Sequence, residues 1–205
     1  MELNQKLPIY NMVVKDGDET GVTFVALVDQ PATDFKWQAF RAHEYKFAAN
    51  QEKRIISGVL MSANMPIYRR DESGEYYVRF DKDTILKIIE KYFKSQNTSN
   101  VNMMHDPNRK IDGVHMIESI FVDKSRGVVA PAGYGEITDG SWFGSFKVEN
   151  DDVWNEFIKT GVFKGFSVEG IFQHAYITDA SATALQNLHD KIANLRAEMQ
   201  TFYTP

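Results

Sequence analysis

The sequence predicts a mainly β protein with inserted helices, in the α+β class. Short runs rich in β-branched and aromatic residues recur between turn signals from Val22 to Ile177. Within that stretch only two segments carry helical spacing. Strand–helix–strand units are too few for a doubly wound parallel sheet.

The first clear element is Val22-Thr-Phe-Val-Ala-Leu-Val28, closed by Asp29-Gln30-Pro31. Its continuous apolar character is that of a strand covered on both faces. Residues 33–54 mix charge with scattered aromatics and read as an irregular crossing or a short helix. Ile55 to Ser62 and Tyr76 to Phe80 are the next strands, joined through a polar loop, Arg69 to Gly74. From about Thr84 to Lys94 the apolar positions Ile85, Ile88, Ile89, Tyr92 and Phe93 line one helix face, with Asp81 or Asp83 as the cap. Gln96 to Asn100 is a polar break. Val114 to Val122 is a strand with its turn at Asp123–Gly127, and a Gly/Pro-rich stretch follows from Ala130 to Gly135. Trp142 to Val148 is the next strand. Asn150 or Asp151 caps a short helix carrying Val153, Trp154, Phe157 and Ile158, stopped by Gly161. Phe163 to Ile177 is a strand or strand pair.

The tail changes character. Leu185, Leu188, Ile192, Leu195, Met199 and Phe202 alternate spacings of three and four, an a/d stripe that Ser181 or Thr183 can cap. Such a helix either lies on its own domain or docks on a partner, a second copy included. The expected division is therefore a β domain over 1–179 and a C-terminal heptad helix over 180–205.

Composition narrows the function classes. With 205 residues, 43% of them hydrophobic, the chain can bury one sizeable core. A net charge of −5 argues against nucleic acid as a partner, because phosphate binding needs a basic face. No window approaches the roughly 20 apolar residues of a membrane span, and the N-terminus lacks the order of a signal peptide, so no membrane partner is expected. The absence of cysteine excludes disulfides, a thiol nucleophile and thiolate metal sites. Of the five histidines, none forms a His-x-x-x-His or His-Glu-x-x-His pair, so no metal and no cofactor is expected. His189 falls beside the heptad stripe, and His115 reads as an ordinary strand residue.

Two segments can carry chemistry. In Val101-Asn-Met-Met-His-Asp-Pro107 a histidine ends a short apolar run just before a turn, where an imidazole can meet a substrate as general base. In Gly165-Phe-Ser-Val-Glu-Gly170 a serine lies inside an apolar strand flanked by glycines. Glycine within a strand marks a bulge or a close backbone approach. Each segment alone also fits a bland role, a loop histidine and a core serine. The serine segment is not the Gly-x-Ser-x-Gly elbow, whose second glycine falls one residue earlier.

Taken together, Asn102-Met-Met-His105-Asp106, Asp112-Gly113, Trp154 to Gly161 and Lys164-Gly-Phe-Ser167-Val-Glu-Gly170 resemble the prohead (capsid-maturation) serine proteases of tailed phages. Gly58-Val-Leu-Met and Arg70-Asp71 fit as well, and the resemblance runs over roughly residues 20–175. It implies a closed or partly closed antiparallel β-barrel of the herpesvirus-protease type, with Ser167 as nucleophile and His105 as general base. The implied activity is an endopeptidase that processes scaffold, major capsid precursor and itself inside the assembling prohead in the host cytoplasm. The C-terminal helix would then serve homo-oligomerisation or scaffold docking.

One departure stands out. The family's third, acidic residue opens a strand of the form acid-x-Ser-x-Val-x-x-Pro-Ala after the nucleophile. Here the nearest segment, Phe24-Val-Ala-Leu-Val-Asp-Gln-Pro31-Ala32, comes before it and holds Phe24 at the acid's position. Asp29 is the expected third member, with Glu169 and Glu118 as rivals and a Ser–His dyad as a further possibility. The same departure motivates the alternative function, a catalytically inactive capsid-assembly or scaffold-like protein.

Overall fold

A computed structural model describes residues 7–17, 19–29, 48–50, 53–72, 74–106 and 108–175. The chain divides into two compact units, Met1–Ala175 and Tyr176–Pro205. The second, with the expected heptad helix, lies outside the described residues, as do His43, His189 and most of the expected crossing at 33–54.

The described strands are β1 (Ile9–Val13), β2 (Gly21–Val28), β3 (Ala48–Asn50), β4 (Ile55–Met61), β5 (Ile67–Asp71), β6 (Gly74–Arg79), β7 (Val101–Met103), β8 (Val114–Phe121), β9 (Trp142–Val148), β10 (Gly165–Ile171) and β11 (Gln173–Ala175). One α-helix, α1 (Lys82–Lys94), and a π-helical segment, Val153–Ile158, interrupt them. The protein is therefore mainly β, of the α+β class, and six of the eight described strand pairs are antiparallel.

The expectation of a closed barrel is corrected. The described strands form three sheets, ordered β11-β1-β6-β5, β10-β2-β7 and β3-β4-β9-β8. β10 runs beside β4 but exchanges no ladder hydrogen bonds with it, so the sheets abut along this line without closing. The polar stretch around Arg69–Asp71 also differs from its reading as a loop. It belongs to β5, an exposed edge strand in a hairpin with β6, and a solvated edge has little use for apolar side chains.

Local rules explain the helices. Asp81 caps α1 by accepting from the Thr84 N–H at 2.7 Å, and Ile85, Ile88 and Tyr92 turn inward. Asn150 caps the second helical segment through Val153 N–H at 3.0 Å, and Gly161 follows at φ 71°. One main core joins the sheets through Val25, Leu27, Ile56, Val101, Trp142, Phe146 and Phe166, with α1 packed against it. The fully buried Tyr92 meets Trp142 edge to face at 5.2 Å between centroids. Among the described residues its hydroxyl has no hydrogen-bond partner, and burial pushes its pKa well above the ordinary tyrosine value.

Candidate active site

The sheet β10-β2-β7 carries both sequence candidates. β2 is its central strand, antiparallel to β10 and parallel to β7, so Val25 and Leu27 are fully buried. Ser167 lies opposite Ala26, and Ala26 lies beside Asn102. Laterally paired residues share a face, so Ser167, Ala26 and Asn102 form a row across the sheet. Phe166, Val25, Leu27 and Val101 belong to the other face and to the core. Ser167 is only 5% exposed and Asn102 fully buried.

Two residues beyond Ser167, on its side of the strand, stands Glu169. The ladder shifts register between Glu169 and Gly170: Glu169 pairs with Phe24 but Gly170 with Val22, leaving Thr23 as the extra residue of a bulge. Gly170 makes this possible. A Cβ there would sit 1.9 Å from the Gly21 carbonyl oxygen, so no other side chain fits without moving a strand.

His105 enters from the end of β7. The Met104 N–H donates to the Leu27 carbonyl at 3.1 Å and the Asp106 N–H to the Met103 carbonyl at 3.0 Å, reversing the chain within a few residues. Asp106 accepts from the Asn108 N–H at 2.9 Å. Met104 and His105 both adopt left-handed backbone, φ 53° and 61°. Two successive non-glycine residues in this region carry strain of about 1–2 kcal/mol each, which clusters at functional sites.

The turn aims the imidazole at β10. His105 Nδ1 lies 3.1 Å from Glu169 Oε1, with the histidine side chain 43% exposed and the glutamate 25%. Asn102 Nδ2 donates to the same oxygen at 2.6 Å. Glu169 thus links the histidine turn to the strand that bears Ser167. Among the described residues no hydrogen bond joins the Ser167 hydroxyl to His105, a looseness common in unliganded sites.

The other acids stand elsewhere. Asp29 follows the end of β2, and no bond from it to His105 occurs among the described residues. Glu118, on β8, accepts from the Ser145 hydroxyl at 2.6 Å, which itself accepts from Ser57 at 2.8 Å. His115 pairs with Lys147 in the β8–β9 ladder. The position that the sequence resemblance reserves for an acid, Phe24, faces Glu169 directly across the ladder. Glu169 therefore puts a carboxylate on the rung where the resemblance expects one.

A cavity of about 140 Å³ borders Ser167, walled by Met61, Met65, Phe166, Val168 and Phe172 and edged by His174. His174, on β11, stacks on Tyr10 at 5.6 Å and meets Tyr76 edge-on at 5.7 Å. Sequence reading had no signal for this cluster, because β1, β6 and β11 come together from distant parts of the chain.

A protein-family model described as "Putative phage serine protease XkdF" matches residues 44–176, well over half of the chain. No curated protein and no solved structure matches.

Proposed function

Since the chain belongs to that family of phage serine proteases, we propose that it is an endopeptidase in which Ser167, His105 and Glu169 act as nucleophile, general base and orienting acid. The carrying observation is the convergence of the His105 ring on Glu169, two residues from Ser167 on one strand face.

A serine hydroxyl attacks a peptide carbonyl poorly until a neighbouring imidazole removes its proton. A carboxylate at Nδ1 holds that nitrogen protonated, leaves Nε2 free as the base and stabilises the imidazolium that forms. His105 then takes the Ser167 proton as Oγ bonds to the substrate carbonyl carbon. It returns a proton to the departing amine, and water releases the acyl group by the same route. The exposed ring lets a substrate approach.

The cavity beside Ser167 is about the size of one that admits a benzene ring. Its lining mixes apolar walls with Ser62, Arg69 and Tyr76, and it would seat one side chain of the substrate. The proposed substrates are scaffold and major capsid precursors and the chain itself, within the assembling prohead, with the C-terminal segment holding the enzyme to scaffold or to a second copy. The inactive-assembly alternative starts from the missing acid at Phe24, and the carboxylate of Glu169 on the facing rung supports the enzyme reading instead.

The test compares the purified chain with its Ser167→Ala variant against a fluorophosphonate probe and co-expressed scaffold. The expected result is labelling at Ser167 and cleavage, both lost in the variant. A parent chain that neither labels nor cleaves overturns the reading.

A further inference from the structure

We infer that Asn102 is a positioning residue for catalysis: its amide fixes the Glu169 carboxylate in the rotamer that faces His105. This inference rests on the proposed function above.

Glutamate has three side-chain torsions, and one that is 25% exposed has water as a competing partner. Something must hold its Oε1 at the histidine. Asn102 is suited to that, since it is fully buried and locked in β7 between Ala26 of β2 and a bridge to Lys110. Its Nδ2 donates to Oε1 at 2.6 Å, and the His105 Nδ1 lies 3.1 Å from the same oxygen. The orientation of the amide follows from charge, because the reverse would set a carbonyl oxygen against a carboxylate.

The other end of the amide supports a role beyond folding. Among the described residues Asn102 Oδ1 is buried with no hydrogen-bond partner. An orphaned buried acceptor is unfavourable and strand positions disfavour asparagine, so what favours this residue here is its bond to Glu169. The nearby cations are engaged elsewhere: Lys110 donates to Asn100 and Arg109 to the Met103 sulfur. Thr23 and Phe24, the β2 residues beside Glu169, carry no charge. Asn102 and His105 are therefore the described groups seen to hold this carboxylate.

The experiment measures the second-order rate at which a fluorophosphonate labels Ser167 in the full chain, from pH 6 to 9, with thermal melting as a check on folding. Asn102→Asp keeps the shape but replaces the donor by a second carboxylate. We expect labelling at pH 8 to fall about 10²-fold, the penalty for a roughly 1 Å misplacement of a catalytic group. The deficit should shrink toward pH 6, because two adjacent carboxylates retain a shared proton that remakes the bond. A purely structural role predicts a deficit that follows melting and ignores pH. Asn102→Ser, uncharged and too short to reach Glu169, should fold and lose rate at pH 8 as well. Wild-type labelling rates in either folded variant, or a pH-independent deficit in Asn102→Asp, overturn the inference. A wild-type chain that does not label at all overturns the proposed function instead, and this inference with it.

Discussion

Gly170 offers the sharpest mechanical test of the site. In Gly170→Ala the new methyl would lie 1.9 Å from the Gly21 oxygen and 2.7 Å from its carbonyl carbon. Carbon–oxygen contacts settle near 3.3 Å, so β10 and β2 must part by roughly 1.4 Å at this point. Both obstacles are backbone atoms, and no rotamer change relieves them. The rungs at risk are Gly170–Val22 and Ile171–Gly21. At about 1 kcal/mol per hydrogen bond, plus residual strain, the loss is about 2–4 kcal/mol. For a chain of this size that lowers Tm by roughly 4–16 °C. The displacement begins one residue from Glu169, so the 3.1 Å approach to His105 opens and fluorophosphonate labelling falls about 10²-fold. Gly144→Ala is the milder comparison: its methyl would meet the Leu60 Cδ1 at 3.0 Å and the Glu118 carbonyl oxygen at 3.4 Å, and the effect should be smaller than at Gly170. Differential scanning calorimetry and labelling kinetics read both numbers. If Gly170→Ala melts with the parent and labels at the parental rate, the bulge does not position Glu169 and the reasoning fails.

Three further outcomes follow from separate features. Met104→Gly should raise stability by about 1 kcal/mol, or 2–4 °C in Tm, because glycine relieves left-handed strain at a 43% exposed residue with little packing to lose; an unchanged or lower Tm contradicts the strain argument. Tyr92→Phe should also stabilise, by about 1 kcal/mol in urea titration, since it removes a buried hydroxyl with no partner among the described residues. Asp123 accepts from Ser125 and Arg126 and faces Lys82, which holds its carboxyl well below the usual range. Its stabilising contribution is thus present above the unfolded carboxylate pKa and lost as pH falls through the folded one, so Asp123→Asn should flatten the fall of Tm below pH 4. An acid limb identical to that of the parent speaks against it.

Much of the fold was legible because the signals were local. α1 appears where the apolar spacing and Asp81 placed it, and β2, β4, β8 and β9 fall on the apolar runs. The π geometry after Asn150 was not legible, since α and π share their apolar spacing over so short a segment. Nor was β5, whose identity depends on its hairpin partner rather than on its own side chains. The parallel pairs β1–β6 and β2–β7 join segments far apart in sequence, and no local rule announces them. The same limit applied to the site. The glycines around Ser167 correctly signalled a bulge and a close approach, and His105 stood at a turn as expected. Which acid meets the histidine depended on the β10–β2 register and on a left-handed turn. Asp29 and Glu169 were therefore hard to rank from sequence, and the geometry favours Glu169.

The pairing of Phe24 with Glu169 bears on how chains of this kind are compared. Two facing positions on adjacent strands deliver their side chains into one volume, whichever strand comes earlier in the gene. A shuffled segment order can then hand a charge from one strand to its neighbour while the space it fills stays put. Column-by-column alignment would score such a chain as lacking its acid, whereas superposition of the paired strands would find it.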